Sequence, residues 1–400
     1  MIKRNLFANF IGQGWTLLMQ LVFIPIYIKY LGMEAYGLIG FYLMLQTWFI
    51  LFDLGISKTT SREMARLSGG AHTSHSIRDF LRTIEWIGYG AALIIILSIT
   101  NIAGWIIDNW LNFETLSPPE VEEVFIFIGA IIALKNIEGI YRGSLIGLQK
   151  QVILNFINIT VGTLRGFGAA IIIIYISPSI YAFFLWQLII SLTHIFLLAA
   201  FTYVNLESIG RLARFSIQEF FNVWRFAGGV FLISVVGLLN SQVDKVVVSK
   251  FVSLSKFGEY TLAVSIAWLV LIFVLPVTQA FYPKLVEYHT KKDSKNFKDS
   301  FHKGAQIITL LVSTVSIILI FFSENFLILW LQNPDIVKNI QIVMVMLILG
   351  NLFNSFAHMP MQALLAFGLP AYGVIFGSIS SLITVALIIY LVPIYGILGA

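Results

Sequence analysis

Three cations and one carboxylate fall together in a stretch where charge is otherwise scarce. Lys135, Glu138 and Arg142 stand at i, i+3 and i+7 of one apolar run, so they share a helix face. Arg165 lies near the middle of the next apolar run, where Asn155, Asn158 and Gly162 precede it at helical spacing. A cation at the centre of a membrane helix costs about 2.5–3.5 kcal/mol on insertion scales, and such residues normally face a bundle interior or a wet cavity. One carboxylate cannot neutralise three cations. Pairing of Glu138 with Arg142 has the favoured polarity, and it leaves Lys135 and Arg165 unpaired at similar depth in antiparallel neighbours. The bland alternative is an internal salt bridge, in which Glu138 pairs with Lys135 or Arg142 and only holds the bundle together. The chemistry that excess positive charge suits is anion binding. Phosphate fits, because arginine offers a planar donor fork and lysine a point charge.

Other polar groups sit at helical spacing in apolar surroundings. Gln13, Thr16 and Gln20 make one stripe, Gln46 and Asp53 another, and Asn351, Asn354 and His358 a third. Asn240, Ser241, Asp244 and Lys245 form a polar segment. Any one stripe is explained by hydrogen bonding between helices. Together they predict a central polar cavity. Asp53, Asp244, Glu138 and His358 are the candidates for coupling to an ion, with local pairing of Asp53 to Lys58 and of Asp244 to Lys245 as the plainer account. His194 stands alone on an apolar run and reads as core. No phosphate-binding loop, HExxH or cysteine cluster is present, so ATP-driven pumping and metalloprotease chemistry lack support.

The elements that position these residues are membrane spans. Of 400 residues 58% are hydrophobic and 11% charged, far below the charge of a soluble domain. Apolar runs of spanning length recur at about 7–30, 36–57, 82–107, 121–141, 152–176, 180–203, 226–249, 257–282, 303–330, 337–360 and 371–393. The segments at 58–81 and 283–302 read as long polar loops, the second lysine-rich and topogenic, with attraction to anionic membrane lipid as a second role. No soluble basic domain exists to hold nucleic acid. With the N-terminus in the cytoplasm, 18 of the 25 basic residues fall on the cytoplasmic side and 5 opposite, leaving Lys135 and Arg165 within spans.

The chain also repeats. Lys29-Tyr30 and Tyr36-Gly37 recur 221 residues later as Lys250-Phe251 and Phe257-Gly258. Arg82 meets Lys303 at the same offset, and the two long loops correspond. The fold class is thus an all-α polytopic membrane protein of two parallel-related lobes, 1–221 and 222–400. The first lobe has six spans and the second five, so the repeat predicts a twelfth span beyond Ala400 or absent from this protein.

Phe52-Asp-Leu-Gly-Ile-Ser-Lys-Thr-Thr-Ser-Arg62-Glu-Met-Ala-Arg66 and Asn240-Ser-Gln-Val-Asp244-Lys245-Val-Val-Val-Ser-Lys-Phe, followed by Gly258-Glu-Tyr260, resemble signatures of the polysaccharide-exporter family. These are O-antigen flippases of the Wzx type, in the superfamily of multidrug exporters and lipid II flippases. The resemblance implies two six-helix lobes in a V, and transport of undecaprenyl-pyrophosphate-linked oligosaccharide across the bacterial inner membrane by alternating access. It places Asp53, Gly55 and Arg62 in the first motif and Asp244 and Lys245 in the second. It implies no enzyme activity and no cofactor, leaves proton or sodium coupling open, and suggests polysaccharide polymerase and chain-length machinery as partners. The expected substrate-binding residues are Lys135, Arg142, Arg165, Lys245, Arg62 and Asn158. A cation-coupled drug exporter of the same architecture is the alternative. A membrane glycosyltransferase would need a large extramembrane loop with carboxylates.

Overall fold

Long apolar segments in lipid leave the backbone no partner but itself, and helix is the form that satisfies it. A computed structural model describes residues 2–53, 55–68, 73–207, 213–217, 238 and 241–400; every regular element among them is helical. By contact the chain divides into two units, Met1–Gln242 and Val243–Ala400. Among the described residues ten helical stretches are long and apolar enough to cross a membrane, so this is a multi-pass membrane protein. The expected span at 226–249 lies outside the described residues apart from its end, which is helical from 241.

In the first unit, α1 (Ile2–Val22) and α2 (Ile24–Leu31) form one span broken at Phe23. Pro25 follows the break; it carries no N–H and its ring crowds the preceding turn. Gly32, at φ +87°, is the only residue between α2 and α3 (Met33–Phe49). That left-handed backbone suits glycine. After α3 the chain tightens into a 3₁₀ turn, Ile50–Asp53. The segment expected as a polar loop then folds as α4 (Ile56–Ser68), whose Ile56, Thr60 and Met64 are buried. Long helices follow: α5 (Ser74–Asn109), α6 (Pro118–Gly147), α7 (Gln151–Tyr175) and α8 (Ile180–Val204). Thr73 and Ser179 cap α5 and α8 by accepting from Ser76 N at 3.2 Å and Ala182 N at 3.2 Å.

Helix α6 is the axis of this unit. It packs against α3, α4, α5, α7 and α8. Its contact with α4 is a seam of glycines at i, i+4 and i+8. A Cβ added at Gly139, Gly143 or Gly147 would collide with Ser57 or Ser61, and at the last two positions with their backbone carbonyl oxygens. Small residues at this spacing let two helix backbones approach closely.

The second unit repeats the succession. Helix α9 (241–251) is followed by α10 (Leu254–Ala267), capped by Ser253, which accepts from Lys256 N at 3.4 Å. The starts of α3 and α10, residues 33 and 254, differ by the offset found in the sequence. Each is followed by a 3₁₀ turn, here Trp268–Phe273. Then come α11 (Val274–Thr290), α12 (Ser294–Phe321), α13 (Ser323–Leu331), α14 (Pro334–Phe356), α15 (His358–Ala366) and α16 (Pro370–Tyr395). The run expected as one span at 303–330 breaks at Phe322. In this unit α14 contacts α10, α12 and α13.

Candidate functional site

Helices α6, α7 and α8 bring one charged cluster together inside the first unit. Lys135 and Glu138, one turn apart on α6, form an ion pair of 2.6 Å between Nζ and Oε2. The same Oε2 lies 3.1 Å from Nδ1 of His194 on α8. The other imidazole nitrogen, Nε2, stands 3.2 Å from Oδ1 of Asn158 on α7. Two turns along α7, Arg165 donates to Ser191 Oγ on α8 at 3.3 Å. Its charge is within electrostatic reach of the Tyr27 and Tyr42 hydroxyls and of Lys135. Glu138, His194, Ser191 and Tyr42 are buried, while Lys135, Asn158 and Arg165 keep partial exposure.

This arrangement takes the salt-bridge alternative for Glu138 over the favoured pairing, and corrects the reading of His194 as solitary. Glu138 pairs with Lys135 and not with Arg142, which is exposed further along the helix. His194 is buried as expected but is not alone, since it bridges Glu138 and Asn158. Arg165 has no carboxylate within ion-pair range among the described residues. With a neutral histidine the cluster of Lys135, Arg165 and Glu138 carries a formal charge of +1. Among the described residues no group of carboxylates, histidines or cysteines is placed to hold a metal ion.

The polar stripe on α7 is split between neighbours. Asn155 faces α1, where its amide donates to Asn9 Oδ1 at 2.6 Å, and only Asn158 and Arg165 face α8. On α1, Thr16 bonds back to its own helix at Gly12 O, 2.8 Å away, and Gln13 and Gln20 are exposed.

Asp53 ends the 3₁₀ turn and anchors the start of α4, accepting from Ser57 Oγ at 2.6 Å and Ser57 N at 3.2 Å. It thus has a local structural partner, and that partner is Ser57 rather than Lys58. Lys58, Arg62 and Arg66 form the exposed edge of α4, with Arg66 paired to Glu63 at 2.9 Å. In the second unit Asp244 accepts from Tyr260 OH at 2.6 Å. Its neighbour Lys245 is half-buried. Asn351 donates to Ala267 O at 2.9 Å, where α10 gives way to the 3₁₀ turn. Asn354 is exposed and His358, opening α15, is half-buried. Asn240 lies outside the described residues.

In the first unit two buried carboxylates escaped the sequence reading. Glu85 on α5, with 1% exposure, accepts from Tyr203 OH at 2.6 Å, Tyr141 OH at 2.9 Å and Arg82 at 3.0 Å. It ties α5 to α6 and α8. Glu34 on α3 accepts the backbone N–H groups of Glu114 and Thr115 at 2.6 and 2.7 Å, and the Thr115 hydroxyl. It fastens the connection between α5 and α6. Only their position in apolar sequence hinted at burial.

The sequence profile described as "Polysaccharide biosynthesis protein" matches residues 2–289. A Shigella flexneri protein named "Putative O-antigen transporter" is 22% identical over 92% of this chain and 85% of its own length. Among solved structures, an inward-facing multidrug resistance MATE family transporter of the MOP superfamily superposes with a TM-score of 0.81 at 13% identity, covering 96% of this chain and 89% of its own. The lipid II flippase MurJ, in an inward closed conformation, gives 0.71 at 15% identity, covering 99% and 82%. At these identities the solved structures bear on the fold.

Proposed function

We propose that this chain, which belongs to the polysaccharide biosynthesis protein family, is a flippase for undecaprenyl-diphosphate-linked oligosaccharide. It works by alternating access in the bacterial inner membrane, with its N-terminus in the cytoplasm. The observation that carries the reading is Arg165: a mid-span guanidinium with no carboxylate partner among the described residues, beside an ion pair that is itself already balanced. An unpaired cation at that depth is costly unless a ligand or water meets it. A diphosphate supplies the missing charge, and the arginine fork binds it at two oxygens. The names of the Shigella relative and of MurJ agree with a lipid-linked glycan as cargo.

Arg165 is the first contact for the diphosphate, with Lys135 and Asn158 beside it. Arg62, Arg142 and Lys245 serve the approach of the anion. The alternative, a cation-coupled drug exporter, is disfavoured by a cluster whose formal charge is positive.

Complementation of a bacterium lacking its own flippase tests the role. A charge-assisted contact is worth about 1.5–3 kcal/mol, so Arg165→Ala abolishes surface polysaccharide and Arg165→Lys keeps part of it. Full complementation by Arg165→Ala at normal protein level overturns the reading. Drug resistance conferred on a pump-deficient strain would favour the exporter.

A further inference from the structure

We propose that His194 is the proton-binding residue of the α6–α7–α8 cluster, and that proton uptake there strengthens binding of the anion; this rests on the diphosphate reading above. The argument is one of donors and acceptors. His194 is buried, and both of its ring nitrogens face oxygens: Glu138 Oε2 at 3.1 Å and Asn158 Oδ1 at 3.2 Å. A neutral imidazole has one N–H and can serve one of them. Nδ1 is buried with no aligned hydrogen bond in this arrangement, although it sits at ion-pair distance from the carboxylate. An imidazolium has two N–H groups and serves both oxygens. If the Asn158 amide turns over, it presents a donor to Nε2, which suits the neutral ring. The site therefore has two self-consistent states that differ by one proton and one amide rotation.

The surrounding charges decide what the proton does. From α6 the ring faces Glu138, with Lys135 sharing the same carboxylate oxygen. From α7 it faces Asn158, and Arg165 lies two turns on; Tyr42 of α3 is near Glu138 and Arg165. The ring thus lies in a cluster of one carboxylate and two cations. An anion seated at Arg165 adds negative charge to that cluster. Protonation raises the formal charge of the cluster from +1 to +2. The imidazolium also competes with Lys135 for Glu138, which frees the ammonium for the anion. Linkage makes the effect reciprocal: a bound diphosphate draws a proton onto His194.

The test uses the purified full chain in detergent with undecaprenyl diphosphate as probe. Between about pH 5.5 and 8.5 the wild-type Kd should weaken about tenfold more than that of His194→Gln, the scale of a typical coupling. Protonation of the lipid phosphate itself is common to both proteins and cancels in the comparison. Calorimetry in two buffers of different ionisation heat should detect extra proton uptake on binding, absent in His194→Gln. Identical pH profiles and identical proton uptake overturn the inference and leave the diphosphate reading standing. No binding by wild type at any pH overturns the diphosphate reading. Histidine NMR of the wild-type chain then reads the ring by itself, and it also replaces the comparison should His194→Gln fail to fold. A His194 ring that takes a second proton between about pH 5 and 8 keeps the proton site; one that stays neutral removes it.

Discussion

The shared oxygen of Glu138 makes the three charged partners unequal, and removing them one at a time exposes the inequality. Glu138→Gln leaves the Lys135 ammonium without a counterion inside a span. Loss of one partner of a buried pair costs about 3–5 kcal/mol. The Lys135 side chain keeps 26% exposure, which puts the cost at the low end of that range, about 3 kcal/mol. In a unit of Met1–Gln242 each kcal/mol moves the midpoint by about 2–4 °C, so Tm should fall by about 6–12 °C. Lys135→Met should cost less, because Glu138 retains a second polar partner, His194 Nδ1, at 3.1 Å. The double variant Lys135→Met/Glu138→Gln removes both charges and should be more stable than Glu138→Gln alone, as pairs replaced together often are. The assay is thermal unfolding of the purified protein followed by tryptophan fluorescence. If Lys135→Met costs as much as Glu138→Gln, or the double variant shows the plain sum of the singles, the pairing argued here is wrong.

Two further expectations concern the helices that frame the spans. In Gly143→Val the new side chain meets the Ser57 carbonyl, which is backbone and cannot rotate away, so α4 lifts from α6 at a cost of about 1–3 kcal/mol. A cysteine reporter at buried Met64 should then react faster with a maleimide, and unchanged labelling would refute the close seam. At the start of α12, Asp293 accepts from Asn296 N at 3.1 Å and Asn296 Nδ2 at 2.6 Å, and these donors hold its carboxyl below the usual aspartate range. A carboxyl depressed in the folded state contributes stability above its unfolded value, about 3.9, and loses it as pH falls through the lower folded value. Asp293→Ala should therefore speed amide exchange in the first turn of α12 at neutral pH and make no difference in strong acid.

Hydropathy made the spans legible, because a length of apolar sequence states its own fold in lipid. It could not supply α4. That helix is short and amphipathic, and with Lys58, Arg62 and Arg66 on its outer edge it reads as a polar loop until Ile56 and Met64 are seen to be buried. The Lys135–Glu138 pair was within reach of spacing on one helix, yet spacing alone preferred Arg142. Choosing between them requires knowing which end of Glu138 is dry. His194 reads as core for a related reason. Its partners lie on two other helices, and the rotation of α6, α7 and α8 about their axes leaves no periodic mark in any one of them. Glu34 escaped because it grips main-chain amides, which have no sequence signature.

An alanine scan, usually the mildest survey of a protein, changes meaning along α6. At 143 and 147 a methyl group already intrudes on backbone, whereas at Gly14, Gly90 and Gly162 it enters open space. The same substitution is disruptive at one set of glycines and silent at the other. Any relative that carries a larger residue at the first set must have moved residues 57–61 outward to admit it.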